Sequence, residues 1–395
     1  MKIESAQERE AAHFLPVVKR YPVVVVEGLG SRLIDDTGRE YIDLLAGWAV
    51  CCIGHSHPAL VSAIREQAGR LMQTTNIFYT LPQLELIDRL AALTGGAVPH
   101  AFLVNSGTEA MDGALKLAHR ATGRTGFVST RGSFHGRSIG ALRIIGQVKH
   151  REPYADLLPD NPVVPFDDLD AARAVVDGDT AAFIVEPIQG EGGVQVPRDG
   201  YLNGLREICD ENGALLILDE IQTGIGRTGA MLAREHDGVI PDVITLGKGL
   251  GGGFPVAAFV ATEAVARSVK LGDHGTTFGG NALACAAANS VLEVVTKEKL
   301  ASRAASLGAR LVERLEKFAG ARPDRVETVR GRGLLVGLVL RDPERAATLT
   351  LRALERGVMV NVTAGSVVRF FPALNIPEDD LWSGVDTVLE LVAGD

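Results

Sequence analysis

Cysteine, positive charge and unbroken apolar length are all in short supply in this chain, and each scarcity removes a class of protein. Only 4 of its 395 residues are cysteines. Cys51, Cys52, Cys209 and Cys285 have neither the spacing of a metal site nor the density of a disulfide-stapled secreted fold. The neighbours Cys51-Cys52 sit too close for ordinary bridge geometry, so reduced thiols in a cytoplasmic setting are expected. Lys and Arg number 40 against 49 Asp and Glu, a net charge of −9 with no basic cluster. That excludes the basic stripe of a nucleic-acid binder. No stretch reaches the about 20 apolar residues of a membrane span without charge or repeated glycine. Met1-Lys2-Ile3-Glu4-Ser5 lacks the apolar centre of a signal peptide. His55 and His57, in Gly54-His55-Ser56-His57-Pro58, have no neighbouring cysteine or acid to complete a shell, so no metal is expected.

What is present is an ordinary globular composition, 46% hydrophobic and 23% charged, in a chain long enough for two domains. Residues 1–16 read as a helical or loose arm. Val23-Val24-Val25-Val26, a Gly28-Leu29-Gly30 turn, residues 32–35 and residues 40–44 read as a small strand meander. From Pro58 the pattern alternates helices with buried strands. Strands are predicted over 101–104, 126–130, 181–185, 215–218, 243–246 and 256–261, and helices over 109–120 and 201–211. Such alternation implies a mainly parallel sheet covered by helices. Helices over 282–295 and 301–318 lead to a tail with apolar segments at 333–340 and 366–370, which reads as a separate α+β unit. The expected division is a small domain from 1–57 and 296–395 around a large domain, 58–295.

Two segments carry most of the chemistry. Leu215-Leu216-Ile217-Leu218 ends in Asp219, followed by Glu220-Ile221-Gln222, and Val243-Ile244-Thr245-Leu246 ends in Gly247-Lys248-Gly249. Parallel strands would bring Asp219 and Lys248 together at one sheet edge, where open α/β sheets bind ligands. A carboxylate that keeps a pyridine nitrogen protonated, beside an amine that forms a Schiff base, is the minimal equipment for pyridoxal-phosphate chemistry.

Asn105-Ser106-Gly107-Thr108-Glu109-Ala110 opens a helix and offers either a phosphate cradle or simple N-capping by Ser106 or Thr108. Phe134-His135-Gly136-Arg137 offers a flat ring for a flat cofactor and a guanidinium for a carboxylate, or a core Phe with a solvated Arg. Glu186-Pro187-Ile188-Gln189-Gly190-Glu191 sets two acids at a strand end, and Glu191 calls for an arginine partner. The turn His274-Gly275-Thr276-Thr277-Phe278-Gly279-Gly280-Asn281 serves either a phosphate or the cap of the next helix. A dinucleotide fold is disfavoured, because Gly28-x-Gly30 and Gly251-Gly252-Gly253 lack the strand-to-helix context of that fingerprint.

Taken in order, these motifs resemble the class III, fold type I pyridoxal-phosphate aminotransferases, and among them the acetylornithine aminotransferases most. The likeness runs through 105–110, 133–142, 146–159, 185–194, 218–229, 247–255 and 275–288, and reaches the termini at 20–58, 74–86 and 368–374. It implies an α/β fold with a seven-stranded, mainly parallel sheet and pyridoxal 5′-phosphate as cofactor. Lys248 would carry the cofactor and shuttle the proton, Asp219 pair with the pyridinium and Gln222 bond the phenolic oxygen. Phe134 and Ile221 would sandwich the ring, with His135 and Glu186 nearby. Ser106, Gly107 and Thr108 would bind the phosphate, and Thr277 would reach the phosphate of a second subunit, implying a homodimer with shared sites. Arg137, Glu191 and Arg369 would handle substrate carboxylates, Glu191 pairing with Arg369 when only one carboxylate is present.

The implied reaction moves the terminal amino group of N-acetylornithine, or a close ω-amino acid, to 2-oxoglutarate. Ornithine, succinylornithine, succinyldiaminopimelate, 4-aminobutyrate and carrier-linked lysine-pathway donors stay open, as does a racemase or aminomutase. Trp48, Cys51-Cys52, Gly247 and Met231-Leu232 depart from the family's usual residues.

Overall fold

The structure, a computed structural model, describes residues 3–394. The N-terminal meander forms as β1 (Val25–Leu29), β2 (Arg32–Asp35) and β3 (Glu40–Asp43), paired antiparallel. Its first reversal differs from the sequence reading. Gly28 and Leu29 belong to β1, and the chain turns at Gly30, whose φ of 58° is left-handed. Gly28 is a packing glycine, since a Cβ there would lie 2.9 Å from the His55 side chain.

Apolar runs without a polar face must be buried on both sides, and the central sheet does this. Its strands are β4 (His100–Val104), β5 (Gly126–Thr130), β6 (Val163–Val164), β7 (Thr180–Val185), β8 (Leu215–Asp219), β9 (Val243–Leu246) and β10 (Ala257–Ala261). Their order is β4-β10-β9-β8-β7-β5-β6, parallel except for β10, which runs antiparallel to both neighbours. The two-residue β6 is the strand that no sequence run announced, and Val256 stays just outside β10. Along β7, Ala182 and Ile184 pack toward Met111 and Ala114 of helix Gly107–Thr122, while Phe183 and Val185 pack toward Leu205 and Ile208 of helix Tyr201–Asn212. Alternate residues thus enter opposite cores, which is why the strand is apolar on both faces from Ala181 onward.

The remaining strands, β11 (Val326–Arg332), β12 (Leu335–Leu340), β13 (Val358–Met359), β14 (Asn361–Thr363) and β15 (Val367–Phe370), follow helices Ala282–Lys297 and Leu300–Ala321. A second sheet has the order β11-β12-β15-β14, whereas β13 joins the meander, pairing parallel with β3 (Val358 with Ile42, Met359 with Asp43). In the last helix, Glu378–Ala393, the Asp380 carboxylate accepts from Ser31 Oγ at 2.5 Å and Arg32 Nη2 at 2.6 Å. The N-terminal arm forms helix Ile3–His13, none of whose residues is buried. No helix among the described residues is long and apolar enough to cross a membrane.

Candidate active site

Parallel pairing of β8 with β9 puts Asp219 opposite Thr245, three residues before Lys248. The Asp219 carboxylate is almost fully buried and has three protein partners. Oδ1 accepts from Ile221 N at 3.1 Å and Thr245 Oγ1 at 3.2 Å, and Oδ2 lies 2.7 Å from His135 Nδ1. Burial alone would lower the His135 pKa, but the bond to Asp219 and the charges of Asp219 and Glu186 outweigh it and favour the protonated ring. The other ring nitrogen, His135 Nε2, is buried without a partner.

Lys248 starts a single 3-10 turn and holds a left-handed φ of 42°, strain of the kind that collects at functional positions. Its amine makes no hydrogen bond or ion pair among the described residues. Burial draws its pKa below the usual lysine value, while Glu191, Asp219 and Glu186 oppose that and Arg369 reinforces it.

At the start of helix Gly107–Thr122, Ser106 is the N-cap, accepting from Glu109 N at 3.4 Å. The Gly107 and Thr108 backbone N–H groups have no acceptor among the described residues and remain available to an anion. The Thr108 hydroxyl is already engaged, accepting from Arg137 N and Ser138 N and sharing a 2.7 Å bond with Ser138 Oγ. Of the phosphate ligands expected from the sequence, Thr108 thus offers its backbone rather than its side chain. A Cβ on Gly107 would press to 2.7 Å from Ile221 Cδ1, so that glycine lets Ile221 lie over the helix start.

Gln222 is buried, and both its Oε1 and Nε2 lack partners. Glu186 accepts from Phe134 N at 3.1 Å and Gly190 N at 3.3 Å, fixing the loop that carries the Phe134 ring. Chiefly through burial, with the charge of Asp219 adding, its carboxyl is pushed up to about 7, although His135 and the two N–H groups pull the other way.

Arg369 is fully buried and stands over the Phe371 ring at 4.7 Å. Its Nη1 donates to Glu191 Oε1 at 2.6 Å and its Nε to Asn361 Oδ1 at 3.1 Å, leaving Nη2 without a partner. Arg137 is exposed, 5.6 Å from the Phe134 ring centroid and 3.3 Å from His150 Nε2. Thr277 is also exposed. Its carbonyl accepts from Gln73 Nε2 at 2.6 Å, and its hydroxyl bonds to nothing among the described residues. Thr276, by contrast, turns inward to Glu109 Oε1 at 3.1 Å.

Several contributors escaped the sequence reading: Thr245 beneath Asp219, Asn361 and Phe371 around Arg369, and Gly190, which leaves room for Gln222. Thr245 alone left a trace, as a hydroxyl in an otherwise aliphatic strand. His55 bonds Asp43 Oδ2 at 2.7 Å, and all four cysteines are free thiols.

The orphaned atoms give a test of what belongs here. A buried amide with two empty positions, two free N–H groups at a helix start, an unbonded amine and a buried carboxylate with acceptor capacity to spare converge on one edge of the sheet. Such a set fits a planar, phosphorylated, carbonyl-bearing pyridine, which would satisfy each of them at once.

Comparison with known proteins agrees with this geometry. The family profile for class-III aminotransferases matches residues 15–392. An acetylornithine aminotransferase from Methanopyrus kandleri is 47% identical over 379 residues, covering 95% of this chain and 96% of that protein. A Toxoplasma gondii ornithine aminotransferase structure, described with partial occupancy of pyridoxal phosphate at its active site, superposes with a TM-score of 0.93 at 34% identity, covering 98% of this chain and 94% of its own. An Elizabethkingia anophelis acetylornithine aminotransferase gives 0.87 at 34% identity, with coverage of 100% and 99%.

Proposed function

The chain belongs to the class-III aminotransferases, and on that footing we propose that it moves the terminal amino group of N-acetylornithine, or a close ω-amino acid, to 2-oxoglutarate. It is a transaminase and its cofactor is pyridoxal 5′-phosphate. When bound, that cofactor supplies an electron-withdrawing ring that accepts the electrons released at the substrate's reacting carbon. Asp219, bonded by Thr245, Ile221 N and His135, would keep the ring nitrogen charged. Gln222 would bond the phenolic oxygen, Phe134 and Ile221 would cover the two ring faces, and Ser106, Gly107 and Thr108 would hold the phosphate. Lys248 Nζ would accept and return the migrating proton, a task suited by its lowered pKa.

The observation that carries the substrate reading is the 2.6 Å pair between Arg369 and Glu191. With Glu191 in place, Arg369 is neutralised, and a substrate with one carboxylate is held through Arg137. When Glu191 swings away, Arg369 is free for the α-carboxylate of glutamate, and Arg137 takes the second carboxylate. One pocket thereby serves a terminal amine and an α-amino acid in turn. The test is a single-turnover panel of N-acetylornithine, ornithine, 4-aminobutyrate and glutamate with the holoenzyme. A preference for 4-aminobutyrate or free ornithine over the acetylated amine would overturn the donor and leave transamination standing.

The active unit in this reading is a homodimer. Ile77, Phe78, Tyr79 and Leu81 are 60–89% exposed, on a stretch whose Gln73 also fixes the Thr277 carbonyl, and a second copy would cover them. Sedimentation showing a fully active monomer would contradict it. Residues 58–295 act as the cofactor-binding domain, with 1–57 and 296–395 forming a smaller one, an assignment supported by the β3–β13 pairing. A cytoplasmic location is supported by the four free thiols.

A further inference from the structure

A cavity of about 360 Å³ lies between helix Gly107–Thr122, strands β4 and β10, and the loop bearing Asp273 and His274, and it shares no residue with the Lys248 site. Helical spacing sets Gly113, Lys116, Leu117 and Arg120 on the face that lines it. Phe102 and Phe259 are direct cross-strand neighbours, their rings stacked at 5.4 Å and 22°. The His274 ring stands edge-on to both, at 4.9 and 5.4 Å. Glycine at 113 is what seats this cluster against the helix, because a Cβ there would lie 2.2 Å from Phe259 Cε1.

The charges at the rim are unequal. Arg120 is paired with Asp273 at 2.9 Å, and His100 is bonded to Glu263. Lys116 Nζ has only His274 Nδ1, at 3.0 Å, and no carboxylate partner among the described residues. Burial first, then the charge of Lys116, draw the His274 pKa below the usual histidine value, although Glu109 and Asp112 oppose this. His274 is then a neutral acceptor toward Lys116, with its hydrogen on Nε2. One cation, Lys116, is left without an ion-pair partner among the described residues, beside a stacked aromatic wall.

We propose that this cavity is a second ligand site, for a planar aromatic monocarboxylate of the benzoate class. Its size matches the small end of small-molecule sites, which run from about 300 to 1,000 Å³. An aromatic ring gains against Phe102 and Phe259 what an aliphatic chain does not. The carboxylate forms a charge-assisted bond with Lys116, whose ammonium has no ion-pair partner among the described residues.

The test is fluorine NMR of 4-fluorobenzoate titrated into the holoenzyme. Saturable binding is expected, weakened about tenfold or more by Lys116→Met, and weakened similarly for wild type when neutral 4-fluorobenzamide replaces the acid. Phe102→Leu should also weaken it. Lys116 is exposed, so its variant should fold and transaminate as wild type. Equal binding by wild type and Lys116→Met overturns the proposal by moving the probe to another cation, such as Arg137. Absence of saturable binding up to about 10 mM overturns it as well, including the case in which a second copy of the chain seals the cavity.

Discussion

Gly190 and Gln222 meet so closely that one added methyl group on Gly190 would sit 1.6 Å from Gln222 Oε1. The side chain that offers two unpaired polar atoms to the site is thus aimed by the absence of a side chain elsewhere. Gly190→Ala should rotate Gln222 away and loosen the cofactor by about 1–3 kcal/mol, the cost of one lost buried bond. Gly247→Ala is the control. A Cβ there meets Ala257 Cβ and Ile221 Cγ2 at 3.5 Å, ordinary contact, so cofactor affinity should stay within about 0.5 kcal/mol of wild type. Equilibrium dialysis with absorbance readout compares the two, and equal losses would refute the distinction.

Asp219→Ala should slow both half-reactions while the fold persists. It also leaves His135 buried without its partner, where burial favours the neutral ring, and thermal melting of the apoprotein should register the lost bond. A folded variant with near-normal half-reactions would count decisively against the role of Asp219.

Lys248→Ala should retain some cofactor through the helix start and Gln222, yet lose at least the 10²–10⁴-fold that a positioned proton carrier typically supplies, about the smallest loss consistent with the mechanism. In wild type, borohydride should fix the cofactor to the peptide containing Lys248. Fixation at another lysine would end the assignment.

Removing Glu191 leaves Arg369 buried with Asn361 as its remaining side-chain partner. Glu191→Ala should therefore penalise the ω-amine half-reaction by about 2–5 kcal/mol and spare the glutamate half-reaction, as rapid-mixing absorbance can resolve. Equal damage to both would argue that Glu191 only holds structure.

The Asp43–His55 pair predicts a pH dependence. The bond to Asp43, with Cys51 assisting against burial, pushes the His55 pKa up to about 10. A raised pKa gives stability that is complete below the ordinary histidine value of about 6.5 and is lost as pH rises through the folded value. His55→Gln should lower the melting temperature at neutral pH, and its gap to wild type should close toward pH 10. A gap that is constant with pH would show that the pair contributes no charge-dependent stability.

The legible part of this molecule was its strands and their ends. Aliphatic runs such as Leu215–Asp219 have only one environment that suits them, and the residue that breaks the run marks the sheet edge. Asp219 and Lys248 were therefore visible together. What stayed hidden depended on contacts between distant segments. His135 and Asp219 are 84 positions apart, and nothing local joined them, whereas the Glu191–Arg369 pair, 178 apart, was legible only through the family resemblance. The pairing of the Thr108 hydroxyl with Ser138 reverses a plausible local reading, because Gly136 brings that loop within reach of the helix start. Two-residue β6 carried too little periodicity to register at all.

The pairing of β3 with β13 also has a consequence in time. Between Ile42 and Val358 the ribosome adds 316 residues (358 − 42). At about 5–20 residues per second that is roughly 15–60 s, during which the edge of β3 stands without its neighbour. Asp380, which clasps Ser31 and Arg32, emerges later still. The first sheet to be synthesised is therefore among the last to be completed, and a nascent chain stalled before position 358 would present an unpaired strand to whatever it meets.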